Sequence, residues 1–299
     1  MKKVLITGGT GFLGSHLIRN LYKEYKVTSI SRKKILKQKL ITKVKYLFFD
    51  ISKYNLVKKN LEKKKFDFII NCCGNINHNN KIETYDAHLK VVKNLIKIFK
   101  NKKIKKFIQI GSCLEYGSLK SPQKENERCV PNSNYGNAKY LAAKAIKKNF
   151  PKNYLILRPY QIFGPSQKLD RLIPMTIHSC LNNKSFFCTS GSQERDFLYI
   201  DDFVKLIKTI LKKNSQINNN IFNVGSGKPY KVKFIIKKIK TKIKKGKPQF
   251  GKIKMRKDEI MKLYPSIKKI KNQLKWFPKT NIDKALSKTI QYYKKLHLY

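Results

Sequence analysis

The chain has 299 residues, 41% of them hydrophobic, which is enough to form the core of one large α/β domain or of two unequal ones. Its apolar runs are far shorter than the roughly 18 residues of a membrane span, so we expect no membrane partner. The six cysteines show no paired metal-ligand spacing. We therefore predict no metal site and expect a reduced, cytoplasmic protein.

The formal net charge is +51, which raises the question of a nucleic-acid or membrane partner. The lysines are spread along the whole chain, and no nucleic-acid-binding module is recognisable. We interpret the charge as a solvated lysine-rich surface and do not expect nucleic acid as a partner. Only seven of the 68 basic residues are arginine. Where the chain has arginine despite this bias, we predict that the position requires a planar cation that can form two parallel hydrogen bonds.

A glycine-rich turn, Thr7–Gly14 (TGGTGFLG), follows a short apolar strand at residues 4–6. Residues 15–25 have apolar side chains at helical spacing, so the glycines lie in a strand-to-helix turn. Such a turn brings a pyrophosphate close to the backbone and to the unpaired N–H groups of a helix N-terminus. The turn is therefore predicted to bind a dinucleotide. Its predicted contact residues are Gly8, Thr10, Gly11, Phe12, Leu13 and Gly14.

The second predicted strand, Lys26–Ser31, ends next to Arg32. In nucleotide-binding folds this position meets the adenosine ribose, and an Asp or Glu there would bind the 2′-hydroxyl. This chain has Ser31 and Arg32 instead, which favours a 2′-phosphate. NADP(H) is the favoured cofactor, and NAD is the alternative.

Further strands are predicted at residues 44–50, 66–74, 105–113 and 153–159, alternating with helices near 85–100 and from Tyr135 onward. This alternation predicts a Rossmann-like, doubly wound parallel sheet in an α/β fold. Ligands bind beyond the carboxyl ends of such strands. Asp50 is placed to hydrogen-bond the adenine and Ile51 to pack on it, and Cys73 and Gly74 are placed close to the cofactor.

Beyond Pro159 the pattern loosens. We predict helices at 171–181 and 201–213, strands at 185–190 and 221–227, and a helical, very basic remainder from residue 231. The expected domains are a nucleotide-binding domain, residues 1–160, onto which about 193–225 pack back, and a smaller substrate-binding lobe, residues 161–299.

Ser112, Tyr135 and Lys139 form the predicted catalytic set. Tyr135 and Lys139 are four residues apart and share one helix face. A tyrosine pKa near 10 is too high for acid–base work at neutral pH, and a neighbouring ammonium lowers it. Ser112 can hydrogen-bond the reacting oxygen of the substrate. Such a set transfers a proton while a nicotinamide transfers a hydride.

With these motifs the chain resembles the extended short-chain dehydrogenase/reductase family, the NAD(P)-dependent nucleotide-sugar epimerases and dehydratases. The resemblance rests on TGGTGFLG, Asp50-Ile51, GSCLEYG, YGNAK, LRPYQIFGP, QERDFLYIDD, FNVGSG and LKWFPK, in family order. It implies the catalytic roles of Ser112, Tyr135 and Lys139, a nucleotide-sugar substrate and a homodimer. It also implies cofactor contact by Pro159, substrate contact by Gln161, and a diphosphate clamp of Arg195 and Arg256. For Arg158, an ion pair and a ligand role stay open. His88 stands where an Asn is usual, and we interpret it as packing or hydrogen-bonding.

The 4,6-dehydratases of the family have Asp-Glu after the catalytic Ser/Thr, where this chain has Cys113 and Leu114. These side chains cannot serve as the acid–base pair that eliminates water. Two enzyme hypotheses follow from the resemblance: an NADPH-dependent reductase of a nucleotide-linked 4-keto-6-deoxy sugar, which we favour, and an NAD-dependent 4-epimerase. A third hypothesis is a nucleotide-sensing or RNA-associated scaffold on the same fold.

Overall fold

The structure is a computed structural model that describes residues 1–36, 38, 40–75, 80–213, 217 and 219–297. The strands are β1 (Lys3–Thr7), β2 (Lys26–Ser31), β3 (Lys45–Phe48), β4 (Phe68–Asn71), β5 (Lys106–Ile110), β6 (Tyr154–Pro159), β7 (Gln161–Phe163), β8 (Ser185–Cys188), β9 (Glu194–Tyr199), β10 (Asn220–Val224), β11 (Pro229–Lys231), β12 (Lys247–Phe250) and β13 (Lys262–Leu263). The helices are α1 (Phe12–Leu21), α2 (Tyr54–Leu61), α3 (Lys81–Tyr85), α4 (Val91–Phe99), α5 (Asn134–Asn149), α6 (Leu172–Leu181), α7 (Ile200–Lys212), α8 (Val232–Ile243), α9 (Lys268–Leu274) and α10 (Ile282–His297).

The main sheet has seven strands in the order β10-β6-β5-β4-β1-β2-β3. β1 pairs in parallel with both β2 and β4, so the chain winds away from β1 in two directions. This arrangement confirms the predicted doubly wound sheet. The switch lies between β1 and β4, where Thr7 and Asn71 are paired at the carboxyl ends of their strands. Ligands of such sheets bind beyond this edge.

The apolar core on one face of this sheet explains why the flanking segments are helical. Val57 and Leu61 of α2, Val92 and Leu95 of α4, and Ile146 of α5 are buried at helical spacing. They pack on every second residue of the neighbouring strands, and the side chains of these residues all point to the same face of the sheet. These strand residues include Leu5, Ile69, Phe107 and Ile156. Burial of this face gives the sheet-and-helix layers their main stabilisation.

Several predicted boundaries differ from the structure. The first helix begins at Phe12 rather than Ser15, because Gly11 has extended backbone angles (φ −75°, ψ 173°) and serves as its N-cap. The predicted helix at 85–100 is interrupted by one π-helical turn, Asp86–Lys90, before α4 begins. The prediction of a helical remainder after residue 231 was wrong in part. Strands β12 and β13 interrupt it, since each completes a sheet with a strand distant in sequence.

The chain divides into two compact units. The first contains Met1–Leu119, Glu125–Pro159 and Val204–Asn223, and the second contains Lys120–Lys124, Tyr160–Phe203 and Val224–Tyr299. Within the second unit, β9 pairs with β7, β11 and β13, and β8 pairs in parallel with β12. The buried Asp196 of β9 accepts hydrogen bonds from the backbone N–H groups of Ser226 and Gly227 and so holds the turn that follows β10. Over the part of the chain that the structure describes, none of the helices is both long enough and apolar enough to cross a membrane.

Lys106, in β5, is fully buried, and its Nζ donates a hydrogen bond to the carbonyl oxygen of Ile217. Burial lowers the pKa of Lys106 from 10.5 to about 8. The folded state therefore binds the proton less tightly than the unfolded state. As a result, the lysine destabilises the fold below pH 8, and this effect fades as the pH rises toward 10.5.

The substitution Lys106→Met removes the buried titratable amine. We expect the unfolding free energy of the wild type, measured relative to the variant, to rise by about 2 kcal/mol between pH 7 and pH 10. Chemical denaturation across this pH range measures the difference. Lys148→Met, at an exposed position of α5, is the control and should show little change with pH. A constant difference for Lys106→Met would contradict the prediction.

Candidate active site

The glycine turn leaves the start of α1 open to an anion. Gly8 has a positive φ of +66°, which glycine adopts without strain. Gly11 caps α1 without a side-chain acceptor, and no acidic residue stands in the first turn of the helix. The backbone N–H of Thr10 is instead fixed by the Oγ of Ser31 at 3.0 Å. The first amides of α1, those of Phe12, Leu13 and Gly14, thus lie where a phosphate group can accept hydrogen bonds.

The backbone around this turn is too crowded for side chains. A Cβ on Gly14 would lie 2.3 Å from the carbonyl oxygen of Gly8, and a Cβ on Gly8 would lie 2.8 Å from that of Cys72. Both contacts are with backbone atoms, which cannot easily yield. The predicted roles of these glycines, a tight turn and close helix packing, fit this geometry. The residues of the turn therefore fit the pyrophosphate of a dinucleotide.

Four other predicted cofactor residues follow the strands of the same unit. Arg32 is exposed directly after β2, and Cys73 and Gly74 follow β4. Asp50 accepts a hydrogen bond from the backbone N–H of Ser52 at 2.8 Å. Arg32, Asp50 and Cys73 follow the carboxyl ends of β2, β3 and β4, which are strands of one parallel sheet, so these residues lie along one edge of it.

Ile51 and the two thiols have environments that restrict their roles. The side chain of Ile51 is buried in the apolar core, with 3% of its surface exposed, so the predicted packing on adenine stays a prediction. Burial raises the pKa of Cys72 to about 12 and also raises that of Cys73. Both thiols are therefore protonated at neutral pH and are poor nucleophiles.

The predicted catalytic pair lies on α5 as its spacing requires. The Nζ of Lys139 lies 5.9 Å from the ring centroid of Tyr135. Lys139 is buried, and its Nζ donates a 2.8 Å hydrogen bond to the carbonyl oxygen of Ile110 at the end of β5. Burial lowers the pKa of Lys139 to about 8, although the nearby Glu115 opposes the shift. At pH 7 the side chain remains mainly an ammonium ion, as stabilisation of a phenolate requires.

A close contact between two backbone segments brings Ser112 near the start of α5. Ser112 is the N-cap of a 3₁₀ turn, Cys113–Tyr116, and its Oγ accepts a hydrogen bond from the N–H of Leu114 at 3.1 Å. A Cβ on Gly136, next to Tyr135, would lie 2.3 Å from the carbonyl oxygen of Leu114. Glycine at 136 therefore allows α5 to pack directly on the turn after Ser112.

A buried polar chain connects Lys139 to the glycine-turn strand. The carbonyl oxygen of Ile110 also accepts from Nε2 of Gln109 at 3.0 Å, and Oε1 of Gln109 accepts from Nδ2 of Asn71 at 2.8 Å. Oδ1 of Asn71 in turn accepts from Oγ1 of Thr7 at 2.5 Å. At most 1% of the surface of Thr7, Asn71 or Gln109 is exposed. The polar groups of these side chains satisfy one another's hydrogen bonds across the adjacent strands β1, β4 and β5. This network fixes the edge of the sheet at which Lys139 is held.

Glu115 and Arg158 form a buried ion pair, which is one of the two predicted alternatives for Arg158. Nε of Arg158 lies 2.9 Å from Oε2 of Glu115, and both side chains are almost fully buried. The other oxygen of Glu115 accepts a 2.8 Å hydrogen bond from the backbone N–H of Ser112. Arg158 also lies over the ring of Tyr116, at 4.5 Å from its centroid. The ion-pair interpretation of Arg158 is therefore supported, and its effect is to hold the turn after Ser112.

His88 is a residue of this site to which the sequence pattern assigned only packing or hydrogen-bonding. It lies in the π-helical turn, and its ring meets that of Tyr135 edge to face at a centroid distance of 4.9 Å. A Cβ on Gly74 would lie 2.7 Å from Cε1 of His88. Nε2 of His88 lies 3.3 Å from both the backbone nitrogen and the carbonyl oxygen of Asn75. His88 thus both packs and hydrogen-bonds, as the two predicted alternatives described. Its contacts with Tyr135 and Gly74 bring these two residues into one cluster.

The remaining predicted contacts lie at or beyond the end of β6. Pro159 ends that strand, and Gln161 is exposed in β7. Arg195 and Arg256, both in the second unit, meet at one carboxylate, that of Glu259. Arg195 pairs with Oε1, whereas Nε and Nη2 of Arg256 lie 3.1 and 2.9 Å from Oε2. Glu259 was not among the site residues predicted from the sequence.

The sequence model of the NAD dependent epimerase/dehydratase family matches residues 4–225, well over half of the chain. The chain belongs to this family. The match spans the glycine turn, Ser112, Tyr135 and Lys139. The predicted resemblance to nucleotide-sugar epimerases and dehydratases is confirmed, and with it the prediction that the protein is an enzyme.

Relatives within the epimerase/dehydratase family differ in the reactions that their names describe. The chain is 31% identical to dTDP-D-glucose 4,6-dehydratase of Dictyostelium discoideum over 265 residues, which cover 76% of this chain and 58% of that protein. It is 26% identical to CDP-abequose synthase of Salmonella muenchen over 299 residues, which cover 97% of both chains. It also has the fold of UDP-glucuronic acid 4-epimerase from Bacillus cereus, solved with UDP-glucuronic acid and NAD. That structure matches with a TM-score of 0.88 and 24% identity and covers 98% of this chain and 99% of that one.

The contact between Gly136 and Leu114 predicts the effect of one methyl group. Gly136→Ala forces α5 away from the turn after Ser112, since the obstacle is a backbone carbonyl. We expect a loss of about 1–3 kcal/mol in unfolding free energy, as is usual for overpacking. We also expect kcat to fall by at least about tenfold, because the reacting groups move apart.

Thermal or chemical denaturation and steady-state kinetics measure the two effects of Gly136→Ala. Lys148→Ala, exposed near the end of α5, is the matched control and should leave kcat unchanged. Normal kcat in Gly136→Ala would show that this contact does not position the catalytic groups.

Proposed function

We propose that this protein is an NADPH-dependent reductase that converts the 4-keto group of a nucleotide-linked 4-keto-6-deoxy sugar to a hydroxyl. The observation that carries the proposal is the pairing of Lys139 with Tyr135 on α5, behind a glycine turn that fits a dinucleotide. When bound, the reduced nicotinamide supplies the hydride that reaches the carbonyl carbon. The residues of the chain supply the proton and fix the carbonyl group.

Tyr135 acts as the general acid in this proposal. Its phenol donates the proton to the oxygen of the carbonyl group as that oxygen gains negative charge. The buried ammonium of Lys139 stabilises the resulting phenolate, while His88 packs against the ring and limits its orientation. Ser112 hydrogen-bonds the same substrate oxygen through its hydroxyl. The turn that presents Ser112 is held by the Glu115–Arg158 pair.

The cofactor choice rests on the end of β2. A carboxylate that would bind a ribose 2′-hydroxyl is absent at Ser31 and Arg32, and the Oγ of Ser31 is already bonded to the N–H of Thr10. Arg32 is exposed there and offers a fork of N–H donors that suits a phosphate group. These observations support NADP(H) over NAD.

Arg195 and Arg256 are the proposed contacts of the substrate diphosphate. Both guanidinium groups are directed to the single carboxylate of Glu259, so the cluster carries a net positive charge. A diphosphate that displaced the Glu259 carboxylate would accept the same bidentate hydrogen bonds from the two guanidinium groups. This arrangement supports an anion site at the predicted pair of arginines.

The 4-epimerase is the second candidate, favoured by the similarity of the fold to that of the Bacillus cereus 4-epimerase, which was solved with NAD. Dehydration is disfavoured, because Cys113 is a buried thiol and Leu114 an alkyl side chain at the two positions after Ser112. Mass spectrometry of nucleotides that co-purify with the protein separates the two candidates. Retained NAD⁺ supports the epimerase, whereas an empty site that binds NADPH supports the reductase.

Turnover tests the role of Tyr135. With a nucleotide-linked 4-keto-6-deoxy sugar, the wild type should consume NADPH, and Tyr135→Phe should lose at least about 100-fold in kcat while still binding NADPH. Tyr140→Phe removes a hydroxyl from the same helix and should retain the activity. The role of Tyr135 as the acid would be excluded if Tyr135→Phe turned over at nearly the wild-type rate.

Cofactor binding tests Arg32. Arg32→Asp should weaken NADPH binding by at least about tenfold and leave NADH binding nearly unchanged, because only NADPH has the 2′-phosphate. Lys33→Asp makes almost the same change in charge one residue away and should affect NADPH much less. Fluorescence titration with each cofactor gives the dissociation constants. Equal losses for NADPH and NADH in Arg32→Asp would refute a 2′-phosphate contact.

A further inference from the structure

A cavity lies at the opposite edge of the seven-stranded sheet from the glycine turn. Its volume is about 620 Å³. It is lined at the amino ends of β1, β2 and β3 and by the segment after α2. Seven lysines contribute to its wall, namely Lys3, Lys26, Lys43, Lys45 and the run Lys63–Lys65. Since the glycine turn follows the carboxyl end of β1, the proposed active site and this cavity are separate.

The lysines of this cavity have no acidic neighbour among the residues that line it. None of the described residues that line it is acidic, and none of its seven lysines forms an ion pair with a described carboxylate. Several lysines elsewhere do form such pairs, as in Lys105 with Asp67 and Lys238 with Asp283. None of the 17 acidic residues of the chain lines the cavity. Asp67 accepts a hydrogen bond from the backbone N–H of Lys3, but its ion-pair partner is Lys105, which is not a cavity residue.

The ammonium groups in the cavity repel one another. Lys64 is half-buried, and burial together with the charge of Lys45 lowers its pKa. Like charges held close together destabilise the unliganded state, and a bound anion relieves this repulsion. The gain is larger for an anion with several charges, because it can contact several lysines at once.

The backbone that presents these lysines is held by hydrogen bonds. The Nζ of Lys102 donates to the carbonyl oxygens of Leu61, Glu62 and Lys64, which fixes the turn at the end of α2. The backbone N–H of Lys3 donates to Oδ2 of Asp67 at 2.8 Å. The lysines thus project from a fixed frame, so less ordering is needed when a ligand binds.

We propose that this cavity binds a small polyphosphate anion with three or more consecutive phosphate groups. Its volume lies within the range of about 300–1,000 Å³ that is usual for small-molecule sites. Lysine binds phosphate as a point charge, and the wall contains no arginine fork that would favour a planar carboxylate. Clustered lysines therefore suit the closely spaced charges of a flexible phosphate chain.

The test uses inorganic tripolyphosphate and the full chain. Isothermal titration calorimetry is done near physiological salt, with NADPH at saturation so that the glycine turn is occupied. We expect one saturable site per chain. The triple variant Lys43→Gln, Lys45→Gln and Lys64→Gln should bind at least about tenfold more weakly, because three charge contacts are lost.

The control removes equal charge elsewhere. Lys237→Gln, Lys271→Gln and Lys284→Gln change three exposed lysines of α8, α9 and α10 and should weaken binding by less than about threefold, since the loss is only of long-range attraction. Thermal unfolding checks that both variants fold. If the cavity variant is unstable, the single change Lys43→Gln, at an exposed position, should still weaken binding by about two- to fourfold.

Three results would overturn the proposal: equal losses in both triple variants, binding that does not saturate, or a cavity variant that binds as the wild type does. A fourth comes from competition with a 12-nucleotide RNA. The RNA binds at this cavity if the wild type binds it and the cavity variant does not. If tripolyphosphate then cannot displace the RNA from the wild type, the site is one for nucleic acid rather than for a small polyphosphate. Displacement of the RNA by tripolyphosphate supports the proposal.

Discussion

The hydrogen bond from Lys139 Nζ to the carbonyl oxygen of Ile110 is the interaction on which the site depends. It ties a helix that contains the predicted acid to the carboxyl end of a central strand. The same carbonyl oxygen accepts from Gln109, and that side chain continues through Asn71 to Thr7, just before the glycine turn. The cation of the catalytic pair and the cofactor turn are therefore held by one buried set of hydrogen bonds. Loss of any member would leave a buried polar group unsatisfied, which is more unfavourable than the loss of a single exposed hydrogen bond.

The burial of Lys139 acts against the charged form of its side chain, which is the form that the proposed chemistry needs. Removal from water favours the neutral amine, whereas phenolate stabilisation needs the ammonium ion. The structure resolves this conflict with a carbonyl acceptor and with the negative charge of Glu115 nearby. Glu115 is itself buried and is held by Arg158, so one ion pair supports both Ser112 and the charge of Lys139. Removing either partner would leave an uncompensated buried charge, and such changes are strongly destabilising.

The high positive charge of the chain affects the surface far more than the fold. The residues of the main core are apolar and would suit a neutral homologue equally well. The three acidic residues with buried side chains, Glu115, Asp196 and Asp202, have structural partners, and Glu259 joins two arginines. These four carboxylates thus hold backbone segments in place or bind guanidinium groups. The lysines far outnumber these carboxylates, and among the residues that the structure describes those of the lysine-lined cavity have no acidic residue in the cavity wall.

The sequence was sufficient to predict the class of fold, and it placed the glycine turn and the Tyr135–Lys139 pair, whose roles stay predictions. Alternating apolar strands and helices, the spacing of Gly8, Gly11 and Gly14, and the four-residue interval from Tyr135 to Lys139 are local patterns, because period and spacing decide which side chains share a face. It could not reveal that Glu115 pairs with Arg158, that His88 meets Tyr135, or that Glu259 joins Arg195 to Arg256. The contacts of Glu115 with Arg158, of His88 with Tyr135 and of Glu259 with Arg195 join residues that are distant in sequence, so these pairings formed only when the segments packed together. The same reason explains the wrong prediction for the C-terminal segment, since β12 and β13 are strands by virtue of their pairing with β8 and β9 rather than of any pattern of their own.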